Sequence, residues 1–402
     1  MQKQIGAILL VAGTCIGSGM IALPMVLATL GLIPSIALMV LIWALMYYTS
    51  LINLELNLQA GRGMPLGSLG RAISGKGAEA IGVTSLKLLS YALLAVFIYG
   101  GSSILQQMLY VEVDGKEHAF ATIETIYALI ALGALLLPLK IIDYLNRILF
   151  IALLVVVLIL VTGMASAIDW KALPLFSEHY SNITLWSAAV PVVFTSFGFQ
   201  VIFHTLADYC RMDDKMLKRA FFWGSLIPLL VYMLWTSSVL SVVHHESPAF
   251  YQQMVAGKAE VGRLIQELSS IAKWQSVQLL VWWISLLAIA TSVLGVGVGL
   301  CDTIYRMLRK KIDNLAACKV LSATLTILPA YLVAVLVPNA FIAALGFAGM
   351  ILAIIAILLP VYLFQKSKII KLHYPELKAN WAIALSTIAG AFVILFELYN
   401  MF

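Results

Sequence analysis

The sequence predicts an all-α bundle of membrane-spanning helices, and three observations carry that prediction. Of the 402 residues, 62% are hydrophobic and 11% charged, whereas soluble globular chains are roughly a quarter charged. Mean hydropathy is +1.00. The apolar residues gather into runs of about 20, the length that crosses a bilayer as a helix. Hydrocarbon offers no partner to a backbone amide, so a spanning segment is either a helix or a strand of a closed barrel, and the apolar/polar alternation of barrel strands is absent. A water-soluble fold, disorder, collagen and a coiled coil are all excluded.

Taken in order, the apolar runs fall at 5–30, 33–57, 80–109, 121–138, 148–168, 186–207, 218–243, 274–300, 318–337, 339–364 and 380–401, which makes eleven spans. The first resembles a signal peptide at its start, but it continues past Pro24 without a small-residue cleavage site and reads as a retained helix. Alternate loops differ sharply in charge. Nineteen of the 25 Lys and Arg fall on one side and five on the other, with Lys87 inside a span. Positive residues favour the cytoplasm, so the N-terminus is expected inside and Phe402 outside. Because the net charge of +6 resides in these loops, it does not point to nucleic acid. Cys15, Cys210, Cys301 and Cys318 are scattered, without the spacing of a disulfide framework or zinc site.

Three loops stand out by length. Residues 59–79 are glycine-rich and cytoplasmic, and 111–120 form a short acidic external loop. Residues 244–273 repeat apolar positions at helical spacing (Phe250, Met254, Val261, Leu264, Ile265, Leu268). They are expected to form an external amphipathic helix over the bundle, as a cap or as an outer gate.

No HExxH, GxSxG, Walker A or phosphate-loop glycine motif is present, so the chain does not read as an enzyme or an ATP-driven pump. The glycines at 295–299 lie inside an apolar span and suit close helix packing. Two other spans carry a more specific signal. The first contains Gly13-Thr14-Cys15-Ile16-Gly17-Ser18-Gly19 and the sixth Phe194-Thr195-Ser196-Phe197-Gly198-Phe199-Gln200, with a shared T-x-x-G 181 positions apart. Each opens a set of five spans. Since five is odd, residues 1–168 and 186–364 insert with opposite orientation and 380–402 adds an eleventh span. Paired glycine-interrupted helices in inverted halves mark a transporter binding site.

Unwinding a helix at mid-membrane frees amides and carbonyls that must face a cavity or a ligand, and glycine lets that ligand reach the main chain. Amides at Ser18 to Met20, opening the second half-helix, suit a carboxylate. Carbonyls of Cys15, Phe194 and Thr195 suit an ammonium. Together they suit a zwitterion such as an α-amino acid. The alternative is that both clusters are packing surfaces. Phe194, Phe197 and Phe199 line an aromatic pocket on one reading and the core on the other.

The segments VAGTCIGSGMIALP, WALMYYTSLINLEL, PVVFTSFGFQ and LAIATSVLGVGVGL together resemble the hydroxy/aromatic amino acid permease family, over nearly the whole chain. The resemblance implies the LeuT-type fold of five plus five inverted spans, with spans one and six broken. It also implies import of an aromatic amino acid, tyrosine first, through a bacterial cytoplasmic membrane; tryptophan and other neutral amino acids are the alternatives. The expected motion is alternating access of spans one, two, six and seven against a scaffold. The substrate carboxylate is then expected at Ser18 and Gly19 and its ammonium at Cys15, Phe194 and Thr195, beside Ser196. No cofactor is implied beyond the coupling ion, which is a proton on family grounds. The sodium alternative uses a site of the superfamily type, here Gly13, Ile16, Ala288, Thr291 and Ser292, unless the two hydroxyls simply bond back to their own helix. The side-chain pocket draws on Thr14, Gly17, Tyr91, Phe97, Tyr99, Ser102, Phe199, Gln200 and Ser292. Among ionisable residues near or within spans, Glu55, Lys87, Asp208 and Glu397 are expected to snorkel. His204, deeper, is the candidate proton relay or else a buried structural histidine.

Overall fold

The computed structural model describes residues 2–60, 63–108, 116–138, 140–142, 144–145, 148–149, 151–153, 155–156, 159, 173–178, 180–271, 275–337, 340–367 and 372–401. Among these the regular elements are all helical. They run α1 (Gln2–Cys15), α2 (Ser18–Leu27), α3 (Leu32–Ala60), α4 (Leu66–Ser74), α5 (Lys76–Met108), α6 (Lys116–Leu135), α7 (Ile183–Ser196), α8 (Phe203–Tyr209), α9 (Asp214–Glu246), α10 (Pro248–Val255), α11 (Val261–Ile271), α12 (Gln275–Leu308), α13 (Leu315–Leu336), α14 (Ala340–Ala353), α15 (Leu359–Lys366) and α16 (Asn380–Met401).

Among the described residues eight helical stretches are long and apolar enough to cross a membrane, and nine when α1 and α2, bent by 49° at their junction, count as one span. The protein is thus a multi-pass membrane protein. Residues 122–135 of α6 form a shorter apolar helix. The run expected at 148–168 falls largely outside the described residues. The long loop differs from expectation. Span seven continues to Glu246, and the cap is two helices, α10 and α11, turned at Gly257 with φ +67°. Phe250, Met254, Val261, Leu264, Ile265 and Leu268 are all buried, as their spacing requires. The glycine-rich loop likewise contains α4, which ends where Gly75 takes φ +94°.

Small residues let the helices approach, the usual means of association where lipid removes the hydrophobic drive. Gly224 of α9 faces Val11 and the Ile8 carbonyl of α1, and Gly349 of α14 faces Pro191 and Thr195 of α7. Polar ties supplement them. Trp43 Nε1 donates to Ser225 Oγ at 3.0 Å, Asn400 Nδ2 donates to the Ser187 carbonyl at 2.7 Å, and the Thr125 and Tyr331 hydroxyls share a 2.7 Å bond. Of the glycines at 295–299, only Gly297 packs closely, against Leu135 and Leu94. The span formed by α14 and α15 is joined by a π-helical turn, Ile354–Leu358, a device common near functional sites.

The pairing of the two broken spans positions the site. α1 packs on the turn Phe199–Ile202 and on α8, while α2 packs on α7. First half meets second half in both directions, so the two spans run antiparallel through their breaks.

Candidate functional site

The first break consists of Ile16 and Gly17, between α1 and α2. Gly17 leaves the helical region, with φ −152° and ψ −142°, and Met20 N donates back to its carbonyl at 3.1 Å. The main-chain amides of Ser18 and Gly19 therefore lead α2, where a first turn has no intrahelical acceptors and the helix dipole favours an anion. The second break begins after Ser196. Phe197 and Gly198 form the turn, and a single 3-10 turn, Phe199–Ile202, leads into α8. Here the turn amides claim the nearby carbonyls: Phe197 N donates to Phe194 O at 3.2 Å and Gly198 N to Thr195 O at 3.0 Å.

The two breaks touch. A Cβ placed on Gly19 would lie 3.0 Å from the Ser196 Cα, which real side chains do not tolerate without displacement. One placed on Gly17 would lie 2.9 Å from Ser292 Oγ of α12. The Cys15 thiol lies by the Phe199 main chain. The tie between the breaks is Tyr232 of α9, fully buried, whose hydroxyl donates to the Cys15 carbonyl and, at 3.0 Å, to the Ser196 carbonyl. Its ring stands edge-on to Phe197 at 5.3 Å. No motif in the sequence pointed to Tyr232, one tyrosine within an apolar span. The carbonyls made available by the breaks thus include Ser196, which the sequence reading had assigned only a nearby hydroxyl.

Other expected site residues divide into those that gather here and those engaged elsewhere. Thr195 Oγ1 donates to Pro191 O at 2.9 Å and across to Leu345 O of α14 at 2.8 Å. Ser196 Oγ bonds Val192 O at 3.0 Å. Gln200 Nε2 reaches α3, at Thr49 Oγ1 (2.8 Å) and Met46 O (3.1 Å), leaving its buried Oε1 without a partner. Phe194, Phe197 and Phe199 are buried, and Phe199 faces Phe221 at 5.8 Å. Thr14 Oγ1 bonds Leu10 O at 2.7 Å on its own helix. Tyr91 is directed to α13, donating to Leu325 O at 2.9 Å, whereas Phe97, Tyr99 and Ser102 are buried along α5.

At the candidate cation site, Thr291 Oγ1 donates to Leu287 O (2.9 Å) and Ala288 O (3.1 Å), and Ser292 Oγ donates to Ala288 O (2.7 Å). Both hydroxyls bond back to their own helix, yet each keeps lone pairs that a hard cation accepts, and Ser292 stands beside Gly17 of the first break. The His/Cys/Asp/Glu clusters that hold transition metals are absent among the described residues.

The ionisable residues depart from expectation in two places. Glu55 and Glu397 do not snorkel: both are buried. Glu55 accepts the main-chain amides of His373 and Tyr374 at 3.1 and 3.2 Å and Gln59 Nε2 at 2.8 Å; Glu397 lies against Gly346. Lys87 points to Met307 Sδ at 3.2 Å. Asp208 and His204 are exposed on α8. The sequence reading overlooked Glu124, a fully buried acid on α6 with neither carboxylate oxygen hydrogen-bonded. Its presence within a predicted span was the signal that could have found it.

A model of the tryptophan/tyrosine permease family matches residues 1–401. The chain belongs to that family. Similarity to individual permeases extends over comparable lengths. The chain is 31% identical over 368 residues to the tyrosine-specific transport system 1 of Haemophilus influenzae, covering 92% of this chain and 89% of the relative. Identity to the tryptophan-specific transport protein of Pseudomonas aeruginosa is 27%, covering 90% and 86%. To the tyrosine-specific transport system 2 of H. influenzae it is 28%, covering 98% and 96%. This permease is therefore a transport protein and not an enzyme.

Proposed function

We propose that this permease imports tyrosine across the cytoplasmic membrane by proton symport, with alternating access in a LeuT-type arrangement of five plus five inverted spans and an eleventh span. The N-terminus faces the cytoplasm and the C-terminus the outside. The observation that carries the proposal is the meeting of two antiparallel helix breaks at Gly19 and Ser196, since paired interruptions of helices inside a bundle mark the places where a transporter lines a cavity or binds a ligand. The substrate carboxylate rests on the amides of Ser18 and Gly19. Its ammonium approaches the carbonyls of Cys15, Phe194, Thr195 and Ser196, displacing or sharing the Tyr232 hydroxyl. Phe199, Phe97 and Gln200 supply the surroundings of the aromatic ring, with Thr14, Gly17 and Ser292 completing the wall, and His204 is the candidate relay on the inner half. Family membership and two relatives named as tyrosine-specific support the substrate; a relative named as tryptophan-specific makes tryptophan the nearest alternative.

Sodium coupling is the second reading, favoured by the approach of Ser292 to Gly17, which places an α12 hydroxyl beside the span-one break as a site at Gly13, Ile16, Ala288, Thr291 and Ser292 requires. One experiment separates these readings. Purified protein in liposomes is given labelled tyrosine, tryptophan or phenylalanine under a pH gradient alone or a sodium gradient alone. Accumulation of tyrosine under the pH gradient without sodium is expected. Accumulation that needs sodium would transfer the coupling to the second site, and no uptake of any of the three would sink the substrate assignment.

A further inference from the structure

Glu124 is the one acid among the described residues whose two buried carboxylate oxygens both lack a hydrogen-bond partner, and its surroundings make the omission informative. An isolated carboxylate in a low-dielectric interior is strongly destabilised, by several kcal/mol even after relaxation. A buried acid without a donor or a cation therefore holds its proton.

Among the described residues no ion pair forms at Glu124. α6 packs on α5, α12 and α13. At the level of Glu124, α13 presents Tyr331, bonded to Thr125 at 2.7 Å. α5 presents Tyr99, whose hydroxyl is within electrostatic reach of both Glu124 and Glu260, and Gly101, which receives the ring of Tyr127. The charged groups of α12 and α13 lie at the other end. Lys319 donates to Leu136 O at 2.8 Å beyond the C-terminus of α6. Leu135 is level with Gly297, so Asp302 and Arg306 of α12 lie further still along the helix. Glu260, ahead of α11, carries the same sign and reaches the same Tyr99.

The acid is also mechanically connected to the helix breaks. Tyr127 packs on Gly101, Gly100 beside it faces Ile289 of α12, and Ser292, one turn along α12, faces Gly17. On the other side, Ser103 Oγ of α5 accepts Gly262 N of the cap helix α11 at 3.2 Å. Movement of the cap or of α5 therefore changes the environment of Glu124, and movement at the span-one break is transmitted to the same helix.

We propose that Glu124 is a proton-binding site of the permease. It holds the proton that accompanies the substrate while the outer half is closed, and it releases the proton when rearrangement of α5 and α6 admits water or a cation. This rests on the proton-symport reading above, and the test keeps the two apart. Wild type, Glu124→Gln and Glu124→Asp are reconstituted in liposomes, and two rates are read for each: counterflow of labelled tyrosine at equal pH on both sides, and accumulation driven by a pH gradient. Glutamine imitates the protonated acid. Glu124→Gln is expected to keep counterflow within about threefold of wild type while pH-driven accumulation falls at least tenfold, to simple equilibration. Glu124→Asp is expected to retain driven uptake with a displaced pH profile. The proposal is overturned if Glu124→Gln accumulates tyrosine with the wild-type pH dependence. It is overturned as well if counterflow and accumulation fall together in both variants, as a merely structural role would produce. Failure of the wild type itself to respond to the pH gradient, with counterflow intact, would remove the coupling reading beneath it.

Discussion

At the residue scale, a single hydroxyl joins the two breaks. Tyr232 reaches the carbonyls of Cys15 and Ser196 from a third helix, and its burial means that water cannot replace it. Removing one partner from a buried hydrogen bond costs about 1–3 kcal/mol, and here two acceptors share the donor. Tyr232→Phe retains the ring contact with Phe197 and deletes only the hydroxyl. Initial uptake in liposomes is expected to fall about tenfold, the equivalent of about 1.4 kcal/mol, while the amount of protein in the membrane is unchanged. Uptake equal to wild type would show that the breaks hold their geometry without this tie. Gly17 and Gly19 act at the same scale. Their value lies in the missing side chain, since any Cβ meets Ser292 or Ser196.

At the scale of elements, the segment between α15 and α16 is fastened to the ends of two other spans. Glu55 at the end of α3 receives the amides of His373 and Tyr374. Lys218 of α9 pairs with Glu376 at 3.1 Å and stands 4.7 Å over the Tyr374 ring. These fastenings are unequal. Hydrogen bonds to a buried charge are worth about 1.5–3 kcal/mol each, whereas an exposed ion pair contributes about 0–1 kcal/mol, and both Lys218 and Glu376 are exposed by more than a third. Glu55→Gln turns an amide group toward donors and is expected to lower the melting temperature in detergent by several degrees. Lys218→Ala should change it by less than a third as much. Equal effects in a thermal-shift assay would contradict the ranking. This fastening was not legible in the sequence. Glu55 near a span end looks like a residue that reaches for water, and the amides that enclose it come from more than 300 positions along the chain.

At the scale of the whole molecule, the proposed alternating access requires the paired breaks to become open to one side and then closed around the solute. Cys15 reports on this directly, because it lies at the first break, is 3% exposed, and is far in sequence from Cys210, Cys301 and Cys318. In a variant retaining only Cys15, labelling by a membrane-permeant maleimide is expected to be slow and to slow at least threefold further when tyrosine is bound. Labelling that ignores tyrosine at saturating concentration would place the substrate elsewhere.

Much of this architecture was legible in the sequence, and for a physical reason. Lipid offers no hydrogen bonds, so composition and run length alone force helices across it, and a glycine cluster in such a helix announces a local failure of that rule. The sequence by itself therefore determined the class of protein, the approximate position of most spans and the residues at both breaks. Tertiary structure decided which groups meet. That α1 and α2 cross α8 and α7 in antiparallel order, that Tyr232 closes on both break carbonyls, that Tyr91 turns to α13, and that Glu124 is enclosed without a partner all depend on contacts between helices distant along the chain. Periodicity tells which face of a helix is apolar, and in a membrane nearly every face is. The choice of neighbour is left to small residues and scattered polar side chains, whose partners no local pattern reveals.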